Sequence, residues 1–170
     1  MFLLEHDAKS LLALHGAPTP QGVLLENAIV GAAKLPPAPW IVKAQIAAGG
    51  RGKAGLIKPA ATPQQLESAL ASIIGKTHKG MTVQACRVES QVTDVEETYL
   101  SFMLDPVSAS VRVMLAAQGG VEIETLAAQP GALKNALASA DTAALDRAVG
   151  EVTAGLAPHL QRAQIGRAHV

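Results

Sequence analysis

Pro39-Trp40-Ile41-Val42-Lys43-Ala44-Gln45-Ile46-Ala47-Ala48-Gly49-Gly50-Arg51-Gly52-Lys53-Ala54-Gly55-Leu56-Ile57-Lys58 is the stretch on which the reading of the fold turns. Its opening, Trp40 to Val42, is a short apolar run that reads as a buried strand. A loop dense in glycine and cations follows, and the chain turns apolar again at Leu56-Ile57. Such a loop suits phosphate. Glycines let backbone N–H groups come close to an anion, and Arg51 and Lys53 supply charge-assisted hydrogen bonds.

Spacing separates the known phosphate loops. A Walker A loop requires Gly where Ala47 stands and Ser or Thr where Ala54 stands, so it is excluded. Gly50-x-Gly52-x-x-Gly55 satisfies the dinucleotide fingerprint, but that motif must open a helix. Here Leu56-Ile57-Lys58 reads as a short strand and Pro59 stops any helix. Strand, glycine loop, strand remains: a flap over phosphates, with Lys43 on the strand before it. Protein kinases use the same logic with the lysine after the flap. A flexible glycine hairpin bearing surface cations would be written the same way.

Composition narrows the partners. A chain of 170 residues makes one domain or two small lobes. With 49% hydrophobic but only 2% aromatic residues, its core must be aliphatic and alanine-rich. Lys+Arg 14 against Asp+Glu 14 leaves no net charge, which argues against nucleic acid as a partner. The charges are segregated, however. No acid occurs from Asn27 to Leu66, where Lys34, Lys43, Arg51, Lys53 and Lys58 fall. Glu89, Asp94, Glu96, Glu97, Asp105, Glu122 and Glu124 follow, opposed mainly by Arg87 and Arg112. A basic lobe facing an acidic one would suit a Mg-nucleotide between them; solvated charges on two unrelated surfaces would give the same pattern.

The lone cysteine, Cys86, cannot form an internal disulfide and reads as a small core residue, not a nucleophile. The apolar Met1–Leu4 is too short for a signal peptide, and no run reaches membrane-spanning length. The expectation is a cytoplasmic protein with no membrane partner, or an organelle-matrix one if a transit peptide has been lost.

Along the chain, Leu4, Ala8, Leu11 and Leu12 share one face of a helix that Gly16 ends, and Gly22–Leu25 reads as a strand. His6 and His15 occupy half-exposed helix positions. Asn27 to Leu35 could form a short helix before Pro36-Pro37. Thr62, Pro63 and Gln65 make an N-cap, first helical residue and capping box. Leu66, Ala69, Leu70, Ile73 and Ile74 form that helix's apolar stripe, and Gly75 ends it. Strands are expected over Thr82–Val88, Thr98–Leu104 and Val111–Ala116, the last two as a hairpin. Leu126–Asn135 has no clear pattern. Asp141 or Thr142 caps a helix bearing Leu145, Val149, Val152 and Leu156, broken at Pro158.

W-I-V-K-A-Q-I-A-A-G-G-R-G-K-A-G resembles the nucleotide-binding segment of the β subunits of the succinate–CoA ligase family, which are ATP-grasp proteins. Three further matches support the resemblance. One is L-x-E-x-x-A-K-x-L followed by H-G-A-P-T-P-x-G, with His6 and His15 where the family usually has Tyr. The second is Val88-Glu89 spaced from Glu97-Thr98-Tyr99 as in V-E-x-x-x-x-x-x-x-E-x-Y. The third is Gln118-Gly119-Gly120-Val121-Glu122-Ile123-Glu124, with Gln118 in place of the usual acid.

The resemblance implies an α+β fold: an incomplete ATP-grasp nucleotide-binding portion, with mixed or antiparallel sheets and flanking helices. It spans 1–137 as two small lobes, with a helical segment over 138–164. It implies that Lys43, Gly50, Arg51 and Gly52 hold the phosphates of ATP. The backbone near Glu89 and Val92 would meet the adenine edge, and Glu97 would hold ribose or the phosphate-bearing end. Adenine needs one donor and one acceptor on a strand-like hinge, and a carboxylate can accept both ribose hydroxyls. Without the family, Glu89 and Glu97 would be ordinary solvated acids. Pro20 stands where adenine-preferring members carry proline.

The family's Mg2+ ligands lie in an E-I-N-P segment and a following strand, neither of which occurs here. Nothing corresponds to the CoA-ligase domain that meets the α subunit, the partner that carries the phosphohistidine. The complete enzyme makes an acyl-CoA, here most simply succinyl-CoA, from carboxylate, CoA and ATP through an acyl phosphate. Malate–CoA ligase, acetate–CoA ligase and ATP-citrate lyase share the motifs, and a catalytically inert nucleotide-binding fragment is the other reading. Residues 165–170 match one frame of a sequencing adapter and are expected to be a non-native tail.

Overall fold

A computed structural model describes residues 3–28, 30, 34–93, 95–119 and 129–156. These fall into two compact units, one within Met1–Thr93 and one within Asp94–Ala163.

The first unit is built on a four-stranded antiparallel sheet. Its strands are β1 (Gly22–Leu25), β2 (Trp40–Ala44), β3 (Ile57–Ala60) and β6 (Cys86–Ser90), in the order β1-β6-β2-β3. A small hairpin, β4 (Thr77–His78) and β5 (Met81–Thr82), precedes β6. Pro59 lies inside β3, opposite Ile41; the sheet tolerates it because β3 is an edge strand. Pairing of Val42 with Val88 and Ala44 with Cys86 puts small apolar residues on one sheet face. Helix α2 (Pro63–Ile73) covers that face with Leu66, Ala69, Leu70 and Ile73, all buried. Burying each of the larger ones is worth about 1.5–3 kcal/mol. The capping prediction holds with one refinement. Thr62 Oγ1 accepts from the Gln65 N–H at 3.3 Å, while Gln65 Oε1 accepts from the N–H of Ala61.

The opposite face is not apolar. The alternation that sends Val42 and Val88 to α2 sends Lys43, Arg87 and Glu89 to the other side. Helix α1 (Glu5–Leu14) meets them there, and this corrects the expectation of an apolar stripe. Its buried residues are Glu5, Ala8 and Lys9, whereas Leu11 is 47% exposed and Leu14 80%. A charged sheet face selects the helix face that can pair with it.

The strand expected over Thr82–Val88 is in fact divided. Met81-Thr82 pairs back on Thr77-His78 around Lys79-Gly80, both at positive φ, and β6 begins only at Cys86. The helix expected over Asn27–Leu35 lies partly outside the described residues, and those that are described carry none.

The second unit is a three-stranded antiparallel sheet, β7 (Tyr99–Asp105), β8 (Ser110–Ala116) and β9 (Leu133–Ala138), with helix α3 (Thr142–Thr153) packed on β8 and β9. Asp105 closes the β7–β8 hairpin by accepting from the N–H groups of Val107 and Ser108 at 3.1 and 3.2 Å. Strand β9 falls within and beyond the stretch that showed no pattern. It was hidden because only Ala136 and Ala138 of its residues are buried. Asp141 is the N-cap of α3, accepting from Ala144 at 2.9 Å. Ala144, Ala148 and Val152 of α3 share one core with Val113, Leu115, Ala136 and Ala138; of the helical segment expected over 138–164, residues 157–164 lie outside those described.

Candidate functional site

Six buried charged side chains gather between α1 and the polar face of the first sheet. Lys43 Nζ lies 2.5 Å from Glu89 Oε1 and 3.1 Å from Glu5 Oε1. Lys9 Nζ reaches the same two carboxylates, at 2.8 Å for Glu5 and 2.7 Å for Glu89 Oε2. Arg87 Nε donates to Glu89 Oε2 at 2.7 Å, and Arg51 Nη2 to Glu5 Oε2 at 2.8 Å. The first residues of α1 are fixed to the end of β2 by the His6 N–H, which donates to Gln45 Oε1 at 2.8 Å. That bond places Glu5 over Lys43. His6 Nδ1 sits 3.0 Å from Arg87 Nη1.

The charges do not balance. Four cations, Lys9, Lys43, Arg51 and Arg87, oppose two carboxylates, Glu5 and Glu89, and every other buried side chain among the described residues is uncharged. Burial would raise the Glu5 pKa, but Lys43, Lys9 and Arg51 more than offset it and hold the carboxyl down at about 2. Glu89 is likewise lowered despite burial, chiefly by Lys43. Burial and the adjacent ammonium of Lys43 pull Lys9 below its usual value. Burial also pushes the Cys86 thiol up to about 12, as befits a core residue.

The glycine loop between β2 and β3 is a folded turn. Gly50 and Gly55 adopt φ of +79° and +67°, which side chains rarely tolerate. The N–H groups of Ala54, Gly55 and Leu56 bond back to Gly50, Gly52 and Arg51. This tightening turns Arg51 inward, where its Nη1 donates to the Ala44 carbonyl at 2.8 Å. His78 Nε2, on the β4–β5 hairpin, lies 3.1 Å from the Gly49 carbonyl oxygen and ties the loop to the sheet unit. Leu3, Glu5, Arg51 and residues 46–49 line a cavity of about 120 Å³.

Of the residues singled out from sequence, Lys43, Arg51 and Glu89 come together, with Gly50 and Gly52 on the adjoining turn. Within the acid-free span from Asn27 to Leu66, Lys43 and Arg51 are buried against Glu5 and Glu89. The Glu89 side chain is 2% exposed. Just beyond it, the N–H groups of Ser90 and Gln91 are spent on the carbonyls of Gln21 and Pro39, and Val92 is 49% exposed. Glu97 stands in the second unit, where it lines an open depression of about 500 Å³ with Glu96, Ala117, Gln118 and Gly119. The acids expected at 122 and 124 lie outside the described residues. Among those described, no three His, Cys, Asp or Glu side chains could hold a metal ion, and no helix is long and apolar enough to cross a membrane.

Sequence reasoning missed Glu5, Lys9 and Arg87. Glu5 and Lys9 are spaced i, i+4, which is ordinarily a solvent-exposed helix pair. Only their setting in L-x-E-x-x-A-K hinted otherwise.

The site is thus a glycine turn joining two antiparallel strands, with a lysine and an arginine collected at its root. The chain belongs to the ATP-grasp domain family, whose model matches residues 2–163. It is 40% identical over 140 residues to the succinate–CoA ligase [ADP-forming] β subunit of Thioalkalivibrio sulfidiphilus, covering 76% of this chain and 36% of that protein. The namesake from Chloroflexus aggregans is 42% identical over 129 residues, covering 75% and 34%. The chain thus spans about a third of the length of the curated relatives it matches. Its fold resembles ATP citrate lyase from Methanothrix soehngenii (TM-score 0.69, 20% identity, 94% of this chain and 40% of that one). It also resembles a dinucleotide-forming acetyl-coenzyme A synthetase from Ca. Korarchaeum cryptofilum (TM-score 0.64, 15% identity, 92% and 71%).

Proposed function

We propose that this chain is the ATP-binding portion of an acyl-CoA-forming ligase β subunit of the succinate–CoA ligase type. The observation that carries the reading is the convergence of Lys43 and Arg51 at the root of the glycine turn, in a buried cluster with two more cations than carboxylates. Buried charge demands compensation, and a polyphosphate supplies it. In this reading the phosphates of ATP meet Lys43, Arg51 and the N–H groups around Gly50 and Gly52. The adenine edge meets the backbone past Glu89 near Val92, and Glu97 serves ribose or the phosphate end. Catalysis by these groups is electrostatic: they offset charge on the moving phosphoryl group.

The whole enzyme would join succinate, or a related carboxylate, to coenzyme A with an α subunit that carries the phosphohistidine, in the cytoplasm. Similarity to the β subunits supports succinate over malate, acetate or citrate. Mg2+ would accompany the nucleotide and neutralise phosphate charge. The described residues do not form a site for it, so no step is routed through it.

A fluorescent ATP analogue tests the reading. Saturable binding is expected, and Lys43→Ala should weaken it about tenfold or more, since a hydrogen bond to a charged group is worth about 1.5–3 kcal/mol. A cooperative melt establishes that the variant is folded. Equal binding by the folded variant would reject the role of Lys43.

A further inference from the structure

Glu5 belongs neither to the glycine turn nor to the sheet, yet it is the carboxylate that meets Arg51. Its two oxygens are divided: Oε2 takes Arg51 Nη2 at 2.8 Å, while Oε1 takes Lys43 at 3.1 Å and Lys9 at 2.8 Å. The other carboxylate of the cluster, Glu89, is held by Lys9, Lys43 and Arg87. Removing Glu5 from the tally would therefore strip Arg51 of its carboxylate but leave Lys43 and Arg87 with theirs. Glu5 also lines the 120 Å³ cavity beneath residues 46–49, together with Arg51. That volume admits one phosphoryl group or a handful of waters.

We propose that Glu5 is a resident counter-ion occupying the seat of a phosphate: it holds Arg51 and Lys43 in place until a polyphosphate displaces it, and so sets how tightly the glycine turn binds its anion. The inference rests on the nucleotide reading above and adds a residue that opposes binding to those that favour it. Carboxylate and phosphate oxygens accept from a guanidinium in the same geometry, so the two compete for one donor set. Without an occupant, the buried Arg51 guanidinium would keep only the Ala44 carbonyl and no counter-charge, which explains why an acid is delivered from a separate helix. A surplus of two positive charges remains with Glu5 in place, enough to draw in a multiply charged anion. Glu5 is thus a positioning residue that tunes affinity.

Inorganic triphosphate, a fluorescent ATP analogue and adenosine are titrated against the full chain, Glu5→Gln and Glu5→Asp, each also melted to establish folding. Glu5→Gln should bind triphosphate and the ATP analogue about tenfold or more tighter than the unaltered chain, with adenosine unchanged. Glu5→Asp, one methylene shorter, should fall between. A purely supporting role predicts the reverse, because loss of a support weakens every ligand. Unchanged or weaker triphosphate binding by a folded variant overturns the proposal. Should Glu5→Gln fail to melt cooperatively, Glu5→Asp decides by the same criterion. If the ATP analogue binds and Lys43→Ala weakens it while both Glu5 variants match the unaltered chain, only this inference falls. If no form binds the analogue or triphosphate, the nucleotide reading falls with it.

Discussion

Lys43 and Arg87 are direct cross-strand partners on β2 and β6, two cations side by side, and the Glu89 carboxylate divides its oxygens between them. Like charges directly opposite destabilise a sheet unless an acid intervenes. Glu89→Gln removes that acid and leaves Lys9, Lys43 and Arg87 sharing a neutral amide. Breaking a buried pair from one side costs about 3–5 kcal/mol. Urea unfolding of the variant should show a loss of that order, and a loss below about 1 kcal/mol would mean the cations escape to water.

Acid should unfold the first unit through the same carboxylates. The folded-state pKa of Glu5 is lowered from the ordinary 4.5 to about 2, and that of Glu89 is lowered too. Their stabilisation is therefore complete above the unfolded value and drains away as pH falls from 4.5 towards 2. The melting temperature should be flat from neutral to pH 5 on their account and drop below it. In Glu5→Gln the drop should be shallower; an equal slope would show that other groups govern acid unfolding.

Gly22 has no room for a side chain. A Cβ there would lie 2.8 Å from the Arg87 guanidinium and 2.9 Å from Glu89 Cβ. Arg87 also donates to the Pro20 carbonyl at 2.8 Å, so it cannot swing away freely. Gly22→Ala should cost about 1–3 kcal/mol by overpacking and disturb the ion cluster. The melt measures the first effect, and weakened binding of the ATP analogue the second.

In the second unit, a Cβ on Gly119 would stand 2.9 Å from the Glu97 carbonyl carbon, a backbone atom that cannot yield. The Gly119 N–H donates to the Glu97 carbonyl at 2.6 Å, fixing the two segments together. Gly119→Ala should displace Glu97 and loosen the depression it lines. Amide exchange near residues 97–99 should quicken in the variant while exchange in β2 and β6 stays unchanged.

Local rules made the helix termini and turns readable in advance. Thr62 and Asp141 are N-caps because their oxygens reach the N–H groups of Gln65 and Ala144 within one turn. The strand–glycine turn–strand unit was readable too, because Pro59 forbids the helix that a dinucleotide loop needs. Strand β9 was not, since the adjacent exposed pair Lys134 and Asn135 breaks the alternation.

By itself, the sequence determined helix α2, the cap of α3 and the strand–glycine turn–strand unit that begins with the strand of Lys43, because capping, proline and glycine act over a few residues. Only tertiary structure decided that α1 would bury Glu5 and Lys9 and leave Leu11 and Leu14 outside. The pleat that turns Val42 and Val88 towards α2 must turn Lys43, Arg87 and Glu89 the other way. A charged face can be covered only by a helix bearing charges to match, and that demand joins Lys9 to Glu89, 80 positions apart.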